Sequence, residues 1–281
     1  MADHFAAFSF VDRITDYVPG TSARGEFAVP RELTSFPLCL VAEAVGQLAA
    51  WVAMEKIAYR GRPVAALANE TRFGGPVLPG ETLQLSVEIE SCDDDAVAYS
   101  GWARVGERLV AELQDCLGPM LPVEEFDSPA ALAERFALLR GAGAPSGRFH
   151  GVAPPRLSPG PRVRGESATA TLHVPTAAPF FADHFPRRPV FPATLLLDTQ
   201  IAFALELAAE TAVCPAGTRA VPLRMTHVKM RSFIAPGDVV EIRAEVAKDG
   251  ASGSGKIMLT AMANGKSIAT ARLEYSARPG S

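Results

Sequence analysis

A lone histidine, His184, lies among aromatic and proline residues in the stretch FFADHFPRRPVFP, and an acid, Asp198, follows it 14 residues later. Histidine titrates near neutrality, so its imidazole can take up or release a proton at physiological pH. A carboxyl group that is removed from water can hold its proton in the same range. A histidine near aromatic residues is more often structural, but the proline spacing and the acid favour proton-transfer chemistry here.

The segment after Pro192 is predicted to be a long buried helix. Pro192 suits a helix start, where a missing N–H costs nothing, and the residues from Thr194 to Ala208 include no further Pro or Gly. A helix that is apolar nearly all round must be wrapped by other elements. Asp198 on such a helix must be paired, hydrogen-bonded or functional.

The chain contains one structural unit twice. Residues 69–89 align with residues 226–246 at an offset of 157, and both copies have a Pro-Gly turn followed by a strand of alternating apolar residues. Further along, Val105-Gly106 aligns with Asn264-Gly265, an Asn-Gly pair typical of a tight type I′ hairpin. Each half is therefore predicted to form an antiparallel sheet with one apolar face.

The two copies differ where chemistry would occur. Phe36-Pro37 and the helix after it align with Phe191-Pro192 at an offset of 155, but the first copy lacks ten residues where the second has its histidine loop. The first helix instead has Glu43 followed four residues later by Gln47, on one helical face. One copy thus kept a helix acid with an amide, and the other kept the histidine.

A resemblance follows from these motifs. The His-Phe-Pro and Pro-Val-Phe-Pro motifs of residues 184–192, with Asp198, resemble the active-site loop and central helix of the FabA/FabZ-type 3-hydroxyacyl-ACP dehydratases, which have the hotdog fold. Glu43 with Gln47 is similar to the acid-and-glutamine helix motif of that family. The family usually has glycine at three positions that other residues occupy here: Asp183, Arg187 and Ala193.

The repeat and the resemblance together imply an α+β fold, a double hotdog with two antiparallel sheets that each wrap around a long central helix. We expect an N-terminal repeat without the histidine loop in residues 1–118 and a C-terminal repeat with that loop in residues 162–281. The linker, residues 119–161, is predicted to contain one helix that begins near Ser128-Pro129 and ends at Gly141, followed by an exposed crossover rich in Gly and Pro.

The resemblance also implies the roles of individual residues. In dimeric members of the family, the histidine of one unit works with the helix acid of its neighbour, which places His184 with Glu43 and leaves Asp198 as the second-choice acid. His184 would be the base for the proton next to a thioester carbonyl, and Glu43 the acid for a leaving hydroxyl. The backbone N–H of Ala193 would stabilise the enolate-like charge. Further substrate contacts are implied for Gln47, Pro192 and Phe185.

The implied substrate is a 3-hydroxyacyl thioester, carried on the phosphopantetheine of an acyl carrier protein or on CoA, with no metal or other cofactor. Four basic residues near the loop and after the helix suit the phosphate of that arm or the acidic helix of a carrier: Arg187, Arg188, Lys229 and Arg231. An ordinary solvated face explains these residues equally well.

Other functions stay open at this point. An enoyl-CoA hydratase or an isomerase would use the same enolate, and hotdog thioesterases share the fold but usually lack this loop. A non-catalytic acyl-binding protein is the alternative from a different class, because the first copy has lost its loop and three glycines are replaced.

Composition narrows the remaining classes. The net charge of −4 leaves no basic surplus to attract nucleic acid or an anionic membrane. The most apolar runs contain acids or amides and adjoin prolines, which argues against membrane spans. The start, MADHFAAFSFVDR, lacks a basic segment followed by an apolar one, and four scattered cysteines favour a reduced, cytoplasmic protein without a disulfide framework or zinc site. We expect a pseudo-dimer within one chain, with further homo-oligomerisation open.

Overall fold

The computed structural model describes residues 7–145, 147–247 and 253–280. Residues 1–6, the start of the stretch considered above for a leader peptide, lie outside these ranges. The helices are α1 (Leu38–Lys56), α2 (Pro129–Arg140) and α3 (Ala193–Ala208), and short 3₁₀ turns lie at Val123–Glu125 and Pro179–Ala182.

The strands fall into two sets, one in each half of the chain. The first half contributes β1 (Arg13–Val18), β2 (Ser22–Ala28), β3 (Gly61–Pro63), β4 (Leu67–Phe73), β5 (Thr82–Cys92), β6 (Ala96–Val105) and β7 (Arg108–Pro122). The second half contributes β8 (Arg156–Val163), β9 (Ser167–His173), β10 (Thr218–Met230), β11 (Val239–Val246), β12 (Ser254–Ala263) and β13 (Lys266–Pro279).

These strands form one long antiparallel sheet with an internal twofold order. The order is β1-β2-β5-β6-β7-β4-β10-β13-β12-β11-β9-β8, with β3 paired to β7, so the second half repeats the first in reverse. The halves meet where β4 pairs with β10, from Arg72 opposite Arg224 to Leu67 opposite Lys229. The predicted double hotdog is confirmed, and its two sheets join edge to edge.

The turns of the repeat have the geometry that their residues predict. Gly80 and Gly237 follow a proline with φ of 86° and 84°. The amides of Glu81 and Asp238 each bond back to the carbonyl three residues earlier, at 3.1 and 3.2 Å, which defines a type II turn in both copies. Asn264 and the glycine after it have φ of 51° and 72°, as a type I′ hairpin requires.

Helices α1 and α3 lie in the core, where the curved sheet wraps them and they contact each other. Leu40, Leu48 and Leu196 are fully buried, as expected for helices that are apolar nearly all round. By length and composition α1 would be able to cross a membrane, but 56% of its most apolar 18-residue window is buried inside the fold. Its apolar character is that of a core helix.

Within residues 119–161, α2 has Ser128 before it and Gly141 after it, as predicted. From its Gly and Pro content we expected the crossover that follows to be exposed. This expectation is wrong for part of the segment. Phe149 is only 3% exposed, with its ring centroid 5.0 Å from that of Phe10 and 5.9 Å from that of Phe36. Burial of this aromatic side chain is worth about 2 kcal/mol and packs the segment against the first half. The Ala144 amide adds a hydrogen bond to the Asp12 carbonyl (2.7 Å).

Candidate active site

One face of α1 lines a cavity of about 230 Å³ between the two halves. Trp51 and Met54 line its apolar part. The other lining residues in the middle of α1 recur at helical spacing and are small or polar: Ala42, Glu43, Gly46, Gln47 and Ala50. A Cβ atom at Gly46 would lie 3.2 Å from the hydroxyl oxygen of Tyr99, so a glycine keeps this part of the cavity open. The helix therefore offers two polar side chains to a largely apolar chamber.

The histidine loop of the second half closes the cavity from the other side. It begins after the 3₁₀ turn Pro179–Ala182 and is held by its own backbone, because the His184 amide donates to the Phe180 carbonyl (2.9 Å) and the Val190 amide donates to the His184 carbonyl (2.9 Å). At its end, the Phe191 amide donates to the carbonyl of Ile234 (2.8 Å). These bonds fix the imidazole relative to the start of α3.

The His184 ring is fixed by one hydrogen bond and two aromatic rings. Its Nδ1 lies 2.9 Å from the Val190 carbonyl oxygen, the Phe185 ring stacks on it at 4.0 Å between centroids, and the Phe8 ring meets it edge-on at 5.6 Å. Burial lowers the pKa of His184 below its usual 6.5, while the charge of Glu43 opposes that shift. Burial therefore favours the neutral form of the imidazole.

Glu43 is held by partners from both halves. Its Oε1 accepts a hydrogen bond from Gln47 Nε2 (3.0 Å), and its Oε2 accepts one from the Thr194 hydroxyl (2.8 Å). Thr194 is the second residue of α3, so the acid of the first helix touches the start of the second. His184 and Thr194 line the same cavity as Glu43. The structure thus brings together the imidazole and the carboxyl group that the sequence placed on different halves.

Most of the other predicted site residues lie at this cavity too. Gln47, Phe185 and Ala193 line it, whereas Pro192 is buried directly before α3. Asp198 lies outside the cavity. Its carboxylate is close to the backbone N–H of Cys39 at the start of α1, and burial raises its pKa to about 6 although that N–H opposes the shift.

Sequence reasoning missed three residues at this site. Thr194 was visible only as a threonine in the first turn of a helix. Arg62, from β3, lines the cavity with its guanidinium carbon 4.3 Å from the Phe185 ring centroid, and burial lowers its pKa to about 10. Asp183 binds the backbone of residues near the N-terminus, a contact that no local pattern indicates.

The four predicted carrier-binding residues lie on the surface beside the loop. Arg188 forms an ion pair with Glu125 (2.6 Å), and Arg187 donates to the backbone carbonyl of Glu124 (3.0 Å). Lys229 and Arg231, at the end of β10, are exposed. The four cysteines are free thiols, and the described residues contain no group of three or more His, Cys, Asp or Glu that could hold a metal ion.

The fold and the site define a double hotdog protein with a largely apolar cavity lined by both halves. Two solved structures share this architecture along nearly the whole chain. A TesB protein from Mycobacterium avium subspecies paratuberculosis superimposes with a TM-score of 0.56 at 14% identity, covering 94% of this chain and 96% of that one. The dehydratase domain of PpsC from Mycobacterium tuberculosis gives a TM-score of 0.51 at 15% identity, covering 97% and 100%. At these identities they show the fold alone.

Sequence comparisons identify the family. A FabA-like domain matches residues 4–114 and an ApeI-like dehydratase matches residues 161–266. The 3-hydroxyacyl-[acyl-carrier-protein] dehydratase FabZ of Lactiplantibacillus plantarum is 32% identical over 113 residues, which are 40% of this chain and 74% of that protein. The FabZ of Rhodospirillum rubrum is 36% identical over 88 residues, 31% and 54% of the two chains. The chain belongs to the FabA/FabZ-type dehydratase family of lyases, as a tandem double hotdog.

Proposed function

We propose that this protein removes water from a 3-hydroxyacyl thioester to give the 2-enoyl thioester, at one site built from both halves. The observation that carries the proposal is the shared cavity in which His184 and Glu43 meet, with Thr194 joining the carboxylate to α3. The reaction needs a base for the C2 proton and an acid for the C3 hydroxyl. Each half supplies one of these groups.

His184 has the protonation state that a base requires. A carbonyl oxygen can only accept a hydrogen bond, so the bond to Val190 places the proton of the neutral imidazole on Nδ1. Nε2 then carries the free electron pair and takes the proton from C2 of the substrate. Because burial lowers the pKa of the ring, this neutral form is favoured.

In its protonated form, Glu43 donates its proton to the departing hydroxyl, which leaves as water. Gln47 fixes Oε1, and a protonated Oε2 keeps its contact with Thr194 because a hydroxyl oxygen accepts as well as it donates. Over one turnover the C2 proton goes to His184 and the Glu43 proton goes to the water. Proton return through solvent restores both groups.

The start of α3 is suited to stabilise the negative charge that develops on the thioester oxygen. The first amides of a helix have no intrahelical acceptor, and they carry the positive end of the helix dipole. Ala193 is the first residue of α3 and lines the cavity. Its backbone N–H is our candidate for the oxyanion donor, since only the amide and not the side chain is needed.

The substrate is proposed to arrive on phosphopantetheine, bound to an acyl carrier protein or to CoA. A largely apolar cavity of about 230 Å³ suits an acyl chain. The exposed basic residues beside the loop offer charge for the phosphate of the arm or for the acidic surface of a carrier. These residues are Arg187, Arg188, Lys229 and Arg231.

The test is turnover of 3-hydroxybutyryl-thioester and crotonyl-thioester, followed by absorbance of the enoyl group, in the wild type and in His184→Ala. We expect His184→Ala to lose about 10²- to 10⁴-fold in kcat/KM while it stays folded. His173→Ala is the matched control, since that ring bonds to Ser158 Oγ (2.9 Å) on the outer strands of the same half.

Full activity of His184→Ala would overturn the assignment of the base. Release of free thiol without the enoyl product would indicate a thioesterase instead. Binding of both thioesters without any turnover in the wild type would favour the non-catalytic acyl-binding alternative.

A further inference from the structure

An N-terminal segment, Ala7 to Phe10, crosses the candidate active site and is bound to both halves of the chain. We call it the strap. Gln47 of α1 binds it twice, with Nε2 donating to the Phe8 carbonyl (3.0 Å) and Oε1 accepting from the Phe10 amide (2.8 Å). Asp183 binds it from the other half, because its Oδ2 accepts from the amides of Ala7 (2.7 Å) and Phe8 (2.6 Å).

The strap covers the catalytic histidine. The Phe8 ring lies edge-on to His184 at 5.6 Å and packs near Phe180 at 6.1 Å, and Phe8 and Ser9 line the cavity. An apolar ring in this position keeps water away from the imidazole. Asp183 directly precedes His184 in the chain, so the strap is bound by the residue next to the histidine that it covers.

A separate anchor fixes the chain just after the strap. The Asp12 amide donates to the Glu26 carbonyl (2.8 Å), and Asp12 Oδ2 accepts from the Ala28 amide (2.8 Å). These bonds attach Asp12 to β2 without any contribution from Asp183. Loss of the Asp183 carboxylate should therefore loosen the strap and leave the hotdog intact.

We propose that Asp183 is a positioning residue, which holds the strap so that the Phe8 ring stays against His184 and closes that side of the cavity. The inference rests on the proposed function for the role of His184. This role also explains why Asp183 stands where the family usually has glycine, since a glycine has no carboxylate to bind two backbone amides. The charged groups around the imidazole are Glu43 on α1, Arg62 on β3 and Asp183 on its own loop.

The experiment compares Asp183→Ala with Asp183→Asn. In Asp183→Ala we expect kcat/KM for 3-hydroxybutyryl-thioester to fall about 10- to 100-fold, mainly through kcat. We also expect water to reach the ring, so the acid limb of the pH profile and the His184 pKa measured by NMR should move up towards 6.5. Asp183→Asn keeps an acceptor oxygen and should recover most of both properties.

Glu210→Ala is the matched control, because Glu210 also accepts from a backbone amide, that of Gly165 (3.1 Å), and from Arg162 (2.8 Å), far from the cavity. It should change neither readout. If Asp183→Ala fails to fold, Phe8→Ala removes the covering ring alone and should give the same upward shift of the titration.

An unchanged His184 titration in Asp183→Ala and in Phe8→Ala would overturn the inference. The NMR titration needs no turnover, so it separates this outcome from failure of the proposed function. A different outcome is that the wild type turns over no thioester while the His184 titration still shifts in both variants. That result would support the role of the strap and would contradict the dehydratase assignment.

Discussion

Glu43 and Asp198 occupy the same position in the two copies of the repeat. Glu43 has the histidine loop of the other half beside it, whereas Asp198 has no such loop. Each acid lies on a central helix and meets the start of the other helix. Glu43 bonds to the Thr194 hydroxyl (2.8 Å), and Asp198 lies by the Cys39 amide, where Cys39 is the counterpart of Thr194 at the offset of 155. The twofold packing of the helices is thus enough to bring an acid to a helix start.

What the packing alone does not produce is a chamber. The cavity lies on the side where the loop brings His184 and its neighbour Phe185, and where Gln47 fixes the acid. At the other position the chain is ten residues shorter, and Ala202 stands in place of the amide. The histidine loop is therefore what completes the candidate site, whereas a helix acid without the loop is a carboxyl group outside the cavity.

The largest expected effect is a difference in kcat between substitutions of the two acids, Glu43 and Asp198. Glu43→Gln keeps the shape of the side chain but removes the carboxyl proton, so we expect a loss of about 10²- to 10⁴-fold in kcat. Asp198→Asn makes the same chemical change outside the cavity and should stay within about threefold of wild type. The measurement is steady-state dehydration of 3-hydroxybutyryl-thioester. The reverse ranking would assign both catalytic groups to the second half.

The repeat made most of the fold predictable. The similar offsets of the Pro-Gly turns (157) and of the two helices (155) predicted the same order of elements in each half, since turn chemistry and apolar periodicity are local properties. The pairing of β4 with β10 was not predicted, because the choice of edge strands depends on how the two halves pack. The burial of Phe149 could not be predicted, because its contacts lie more than 100 residues away in the sequence.

The site was predictable only in part, for the same reason. His184 and Glu43 lie in family motifs, and their pairing across the two halves was implied by the resemblance. Thr194, Arg62 and Asp183 act through partners on other elements, so their roles depend on tertiary packing. A residue in no motif, such as Phe8 over the imidazole, has no signal in the sequence.

A smaller effect is expected from the contact that joins the two helices at the working site. Thr194→Val removes the hydroxyl that bonds to Glu43 and keeps the branched shape, which should cost about 1 kcal/mol of transition-state stabilisation, or about fivefold in kcat/KM. Thr194→Ser should restore it. Thr199→Val is the control, because that hydroxyl bonds only to the Leu195 carbonyl within α3 (2.8 Å). Equal losses in both valine variants would contradict a specific role for Thr194.

The last effect is on stability and not on catalysis, and it concerns the position without a loop. Because folding raises the pKa of Asp198 from 3.8 to about 6, its contribution to stability is complete below pH 3.8 and is lost as the pH rises through 6. Asp198→Asn lacks this loss, so it should be more stable than wild type above pH 6, by at most about 3 kcal/mol. Urea unfolding from pH 4 to pH 8 measures the difference. If the difference in unfolding free energy between the two proteins does not change with pH, folding does not raise the pKa of Asp198. The surroundings of Asp198 would then not disfavour a charged carboxylate.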